Sequence, residues 1–140
     1  MHNVEILHLK LMVPLDPARL FQLREHIYRL CEVEGVPAQT TRLMVLAIDE
    51  AVANIIEHAN LDATHNEIEL ALEIGDSKIE AVIRDRGGPF DPRRTLTKPD
   101  QASFPRRGFG LYLIHKIVDN LQYERTSEGE NVLTLTKTIG

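Results

Sequence analysis

The sequence predicts an α+β protein, with helices on one face of a mixed, mostly antiparallel sheet. Three observations carry that expectation. Apolar residues recur at helical spacing from Leu43 to Asn60. Period-two alternation marks several short segments, and the turn pairs Gly75-Asp76 and Glu128-Gly129 join them as hairpins. The order reads β-α-α-β-β-α-β-β, with helices segregated from hairpins instead of alternating with single strands.

The first strand is read over residues 3–13, where Val4, Ile6, Leu9 and Leu11 are apolar, and Pro14 ends it. Asp16-Pro17 has the chemistry of a helix start, a capping carboxylate with proline at the first helical position. Leu20, Leu23, Ile27, Leu30 and Cys31 mark one face of that helix, which runs to about Glu34 and closes at Gly35. Thr40 or Thr41 is expected to cap the long second helix, and a polar segment, 61–65, follows it. Strands are expected over Asn66–Ile74 and Lys78–Arg84, then a turn cluster at Asp85–Pro92. Residues 93–107 are polar and basic, without period. A helix restarts over Gly108–Leu121, with Leu111, Ile114, Val118 and Leu121 on one face. Strands over Gln122–Thr126 and Asn131–Ile139 complete the chain.

At 140 residues and 43% apolar, a single globular domain with a sizeable core is expected. The net charge of −5 and the absence of tryptophan give no reason to expect nucleic-acid binding. The longest apolar run is six residues, Leu43–Ile48, far short of a membrane span. No secretion signal is read at the N-terminus, and the lone Cys31 excludes an internal disulfide framework. A cytoplasmic protein with Cys31 in its core is the expectation.

Three stretches carry candidate chemistry. On the long helix, Glu50 and Asn54 stand four residues apart, one above the other, among apolar residues. A carboxylate and a carboxamide so placed are costly to bury without partners. A divalent ion with its waters is one such partner, and a solvated polar stripe is the other reading. Asp85-Arg86-Gly87-Gly88 follows a strand. Its carboxylate can accept from an exocyclic amine, and its glycines admit a flat ligand; an ordinary glycine-rich turn has the same composition. Arg106-Arg107-Gly108-Phe109-Gly110-Leu111 opens a helix, where unpaired amides and two guanidinium groups attract phosphate. From Arg84 to Arg107 seven basic residues stand against three acidic ones, a local +4 that leaves about −9 elsewhere. Focused positive charge in an acidic chain suits an anionic ligand; a solvated basic loop is the plain alternative.

Together, in this order, the three stretches resemble the boxes of the GHKL ATP-binding fold of gyrase, histidine kinases and MutL. EAVAN resembles the N box, DRGG the G1 box and RRGFGLYL the G2 box. The small size and the wording IDEAVANIIEHA, IRDRGGPFD and RGFGLYLIHKIVD are similar to the RsbW/SpoIIAB-type anti-sigma-factor serine kinases, over about residues 5–138. The resemblance implies the two-layer α/β sandwich of that fold, and ATP and Mg²⁺ as cofactors. Asn54 would ligate Mg²⁺, and Glu50 would orient or deprotonate the attacking hydroxyl. Asp85 would bind the adenine amino group with Gly87 beneath the base. Gly108, Phe109, Gly110 and Leu111 would lie at the phosphates, with 91–107 as the ATP lid. Arg106 or Arg107 would reach the γ-phosphate. One departure is Pro89, where many relatives carry a further glycine. His58 fits the pattern as a structural polar residue.

A Walker GxxxxGK[ST] motif, HExxH, paired cysteines and the eukaryotic kinase set are absent from the sequence. The implied function is a serine/threonine kinase that phosphorylates a STAS-domain anti-sigma factor antagonist and, in its other role, sequesters a sigma factor as a homodimer. The alternatives are a nucleotide-binding partner switch without useful kinase activity, or a switch kinase that activates a phosphatase. The first strand and helix, with Arg19, Arg24 and Arg29, are the expected partner face.

Overall fold

The computed structural model describes residues 5–59, 61–89 and 109–139. The elements are β1 (Glu5–Met12), α1 (Pro17–Val33), α2 (Ala38–His58), β2 (Glu67–Ile74), β3 (Lys78–Asp85), α3 (Phe109–Ile117), β4 (Asn120–Arg125) and β5 (Asn131–Thr138). The order matches the expected β-α-α-β-β-α-β-β. The five strands form one open sheet in the order β1-β2-β3-β5-β4. Among the described residues every pairing is antiparallel and none is parallel, against the mixed sheet expected.

Register places the core on one face. Leu11 lies opposite Ile68, and Leu70, Ile83 and Leu133 follow in line across β2, β3 and β5. All are buried, together with Leu72, Ile74, Ile79, Ala81 and Leu135. The alternate residues Glu69, Glu73, Glu80 and Arg84 point to the other face, the period-two pattern of a sheet covered on one side. The helices supply the second layer. Leu23, Ile27 and Cys31 of α1, with Met44, Ala47, Ile48, Ala51, Val52 and Ile55 of α2, are buried in the same cluster.

Local chemistry explains most boundaries. Asp16 caps α1 by accepting the Ala18 N–H at 3.0 Å, with Pro17 in the first turn. Gly35, at φ +79°, ends it in the left-handed conformation that glycine takes without strain. Gly129 does the same in the β4–β5 turn, at φ +83°.

Among the boundaries that differ from expectation, three have a visible cause. Neither Thr40 nor Thr41 caps α2, because the helix begins earlier. The Pro37 carbonyl already accepts the Thr41 N–H at 3.0 Å, and the Thr41 hydroxyl donates to that same carbonyl at 3.3 Å. β3 runs one residue further, to Asp85, because Asp85 still pairs with Ile68 and Asn131. α3 stops at Ile117 rather than Leu121. Asp119 accepts from the Thr138 N–H at 2.6 Å and its hydroxyl at 2.8 Å, pinning the turn into β4. Leu121 still faces the core, but from a strand opposite Leu135.

Candidate functional site

The α2 helix carries Glu50 and Asn54 one turn apart on a half-buried stripe, flanked by the buried Ala47, Ala51 and Ile55. The side-chain nitrogen of Asn54 is buried and has no hydrogen-bond partner among the described residues. Buried polar atoms are normally satisfied, so this one marks a place where a further group belongs. His115 Nε2, on α3, is a second such atom that the sequence reading did not single out. α3 packs against α2.

Glu50 lines a groove of about 290 Å³ between α1 and α2, with Leu20, Arg24, Leu46, Asp49 and Ile56 around it. Arg24 Nε donates to Asp49 Oδ2 at 2.9 Å. Burial pushes the Asp49 carboxyl up, against the opposing pull of the Arg24 charge and hydrogen bond. Arg19 donates to the Lys10 carbonyl at 3.3 Å.

Asp85 ends β3 on the core face and is only 4% exposed. Its Oδ1 accepts the Gly87 N–H at 2.8 Å and the Asn131 side-chain N–H at 2.9 Å. Burial pushes the carboxyl above its ordinary range. The hydrogen bonds from Asn131 and Gly87 and the charge of Arg125 oppose that rise, and Glu130 adds to it.

Register brings Asn131 and Arg125 beside it, for Asp85 pairs with Asn131 and Asn131 with Arg125. Asn131 Nδ2 also donates to the Gly88 carbonyl at 2.8 Å. Asn131 Oδ1 accepts from the Tyr123 hydroxyl at 2.6 Å and from Arg125 Nη1 at 2.9 Å. Arg125 Nη1 also donates to the Gly87 carbonyl at 2.9 Å. None of Tyr123, Arg125 and Asn131 was singled out from sequence. Their signal is the alternation of β4 and β5, which puts all three on the core face once the register is known.

Gly87 is required for a reason visible in the packing. A Cβ there would overlap the Ala59 carbonyl oxygen and stand 2.8 Å from Ala59 Cβ and 2.9 Å from Leu61 Cδ2. The Gly88 N–H donates to that same Ala59 carbonyl. The loop after β3 is thus pressed onto the end of α2, which ties the Asp85 end of the sheet to the helix carrying Glu50 and Asn54.

Phe109, Gly110 and Leu111 form the first turn of α3, where backbone N–H groups lack intrahelical acceptors. Arg106, Arg107, Gly108 and the expected lid over 91–107 lie outside the described residues. His58 is the last residue of α2, with Nε2 3.3 Å from Glu57 Oε1.

Among the described residues no three His, Cys, Asp or Glu side chains assemble into a metal site. The Asn54 side-chain oxygen and the Glu50 carboxylate are hard oxygen donors of the kind Mg²⁺ takes alongside waters and substrate phosphates.

Comparison with known proteins assigns the family and the fold. The family model for the histidine kinase-like ATPase domain matches residues 13–137. This chain belongs to that family. Among curated relatives, the histidine kinase-like ATPase domain described here is 26% identical to the serine-protein kinase RsbW of Oceanobacillus iheyensis. That match runs over 134 residues and spans 87% of this chain and 80% of the relative. It is 22% identical to the RsbW of Bacillus velezensis, spanning 86% of this chain and 79% of that one. The RsbW of Bacillus cereus strain AH820 is 34% identical over 103 residues, 69% of this chain and 62% of the relative.

Two solved structures share the fold. One is the structure of the RsbU and RsbW domains of Rv1364c from Mycobacterium tuberculosis, with a TM-score of 0.66 at 20% identity, covering 96% of this chain and 32% of that one. The other is a chain of the SiaB–SiaC complex from Pseudomonas aeruginosa, with a TM-score of 0.61 at 13% identity, covering 96% of this chain and 91% of that one. The resemblance to RsbW-type kinases therefore holds at the level of family and fold. No helix among the described residues is long and apolar enough to cross a membrane.

Proposed function

We propose that this chain is an ATP- and Mg²⁺-dependent protein serine/threonine kinase of the anti-sigma-factor type. It phosphorylates a STAS-domain anti-sigma factor antagonist, sequesters a sigma factor in its other state, and works in the cytoplasm as a homodimer. The observation that carries the reading is the placement of Asn54 one turn from Glu50 on a half-buried stripe of α2, where the Asn54 side-chain nitrogen is a buried donor without a partner among the described residues. The relatives named serine-protein kinases support it.

Roles follow from chemistry and position. Asn54 holds Mg²⁺ through its carboxamide oxygen, and the bound ion supplies charge neutralisation to the ATP phosphates. Asp85 accepts from the adenine amino group, with Gly87 in the loop beside the base. The opening of α3 at Phe109, Gly110 and Leu111, with Gly108 and the two arginines Arg106 and Arg107, serves the phosphates. Glu50 lies in the groove between α1 and α2, where an acceptor hydroxyl can enter from outside. It takes the hydroxyl proton as the oxygen bonds to the γ-phosphorus. The bond to the β–γ bridging oxygen breaks, and ADP departs with that electron pair. Such transfer depends on positioning and electrostatics more than on covalent help from the protein. The phosphate added to the acceptor carries about −1.5 to −2 charges, enough to disrupt an interface facing acidic groups. Arg24, which lines that groove, and Arg19 and Arg29 on other sides of α1 are the proposed partner contacts.

Calorimetry of ATP binding with and without Mg²⁺, on wild type and Asn54→Ala, tests the reading. Mg²⁺-dependent binding that weakens at least tenfold in the variant is expected, on the order of the loss of one strong polar contact. No binding to wild type at millimolar ATP overturns the nucleotide site.

A further inference from the structure

We propose that Tyr123, Arg125 and Asn131, on the final hairpin, form a clamp that sets base selectivity by fixing which face of Asp85 is open and by locking the carbonyls of Gly87 and Gly88. The inference rests on Asp85 being the base reader of the proposed site.

The argument starts from Asn131, which is 4% exposed and must satisfy both ends of its amide. Its Oδ1 receives two donors, the Tyr123 hydroxyl at 2.6 Å and Arg125 Nη1 at 2.9 Å. A flipped amide would set its NH₂ against Arg125 Nη1, which can only donate, so the orientation is determined. Nδ2 then has to donate, and it meets Asp85 Oδ1 at 2.9 Å and the Gly88 carbonyl at 2.8 Å. The Gly87 N–H occupies the same Oδ1 at 2.8 Å. One carboxylate oxygen is thus committed twice, and among the described residues nothing donates to the other.

With the carboxyl ionised, what remains is an acceptor-only surface. It matches an exocyclic amine, as on adenine, and repels a carbonyl, as on guanine. Arg125 adds the second half of the clamp. By holding the Gly87 carbonyl at 2.9 Å it keeps that acceptor turned toward the hairpin. Without the hairpin donors, two backbone carbonyls beside the base would be free to reorient and offer alternative contacts to other bases.

The test is the affinity for ATP and for GTP, each with Mg²⁺, measured on full-length wild type, Asn131→Leu, Asn131→Thr and Tyr123→Phe. Asn131→Leu is expected to lose about tenfold or more in ATP affinity, the scale of one hydrogen bond to a charged group. Its ATP-to-GTP ratio narrows as well. Asn131→Thr, whose hydroxyl can still donate to Asp85, recovers most of both, a rescue that mere loss of packing would not show. Tyr123→Phe removes one hydroxyl and leaves the fold, so it keeps the proposal falsifiable if Asn131→Leu does not fold. Its ATP-to-GTP ratio is expected to narrow about threefold, the low end of a neutral hydrogen bond. Wild-type ATP binding with an unchanged ratio in Tyr123→Phe and Asn131→Leu overturns the clamp alone. Absence of ATP binding by wild type overturns the nucleotide reading and the clamp with it.

Discussion

Gly87→Ala tests the junction between sheet and helix without reference to any ligand. The added Cβ has nowhere to go. It would overlap the Ala59 carbonyl oxygen and stand 2.8 Å from Ala59 Cβ and 2.9 Å from Leu61 Cδ2. Ala59 cannot give way cheaply. It is 1% exposed, its N–H donates to the Ile55 carbonyl at 2.9 Å, and its carbonyl accepts from Gly88. Relief therefore requires moving the loop, which stretches the bonds from Arg125 and Asn131 to the Gly87 and Gly88 carbonyls. Overpacking of this kind costs about 1–3 kcal/mol. For a domain of this size that lowers Tm by roughly 3–10 °C. Differential scanning calorimetry measures it, with Gly75→Ala as control. The nearest atom to a Cβ at Gly75 is the Lys78 carbonyl oxygen at 3.8 Å, an ordinary contact, so the control should shift Tm by less than about 1 °C. A Gly87→Ala melting curve that overlays wild type would refute the packing argument.

Three further outcomes follow from the same geometry. Burial holds the Asp85 carboxyl above its ordinary range, so its folded-state pKa exceeds the unfolded value. Protonated Asp85 then favours the fold, and that contribution is lost as pH rises through the raised value. Asp85→Asn should accordingly melt at a higher temperature than wild type at pH 7, with the gap closing as the pH falls below the ordinary carboxylate range. ATP affinity should fall about 10- to 150-fold, because the free end of the side chain can now present a donor to the base. A variant no more stable at pH 7 would contradict the sign. Glu50→Ala should bind ATP within about threefold of wild type, since Glu50 is assigned no bond to the nucleotide, while phosphotransfer to an acceptor is lost. Unchanged transfer removes Glu50 from its role. Cys31 is 0% exposed and burial raises its thiol pKa, so a thiol reagent should label it only as fast as the protein unfolds, followed by stopped-flow absorbance.

Much of the fold was legible because local chemistry and long-range packing agree. Asp16-Pro17 is a helix start whatever surrounds it, and the alternation over Ile68, Leu70 and Leu72 can be buried on one face only as a strand. The misses fall where a distant partner decides. Leu121 satisfies the helical spacing of Leu111, Ile114 and Val118, and it equally satisfies the alternation of a strand. Asp119 resolves the ambiguity by bonding Thr138, nineteen residues away. The Thr40-or-Thr41 cap was plausible from residue type, but Pro37 had already fixed a backbone carbonyl where the helix needs its first acceptor. The sheet's wholly antiparallel pairing depends on β5 entering between β3 and β4, which no local pattern specifies.

The candidate site divides along the same line. Glu50 and Asn54 were readable because both lie on one helix, where spacing alone places them together. Asp85 and Gly87 were readable as a strand end followed by glycines. The residues that hold Asp85 in place were not, since Asn131 stands 46 positions away and reaches it only through the β3–β5 register. A one-residue slip of β5 would carry Asn131 to the opposite face and leave Asp85 buried with only the Gly87 N–H. Burying a carboxylate that poorly satisfied is costly, so the polar row Asp85–Asn131–Arg125 penalises a wrong register at the edge of an otherwise apolar face. The contacts that define the Asp85 end of the candidate site therefore also help to select the fold that creates it.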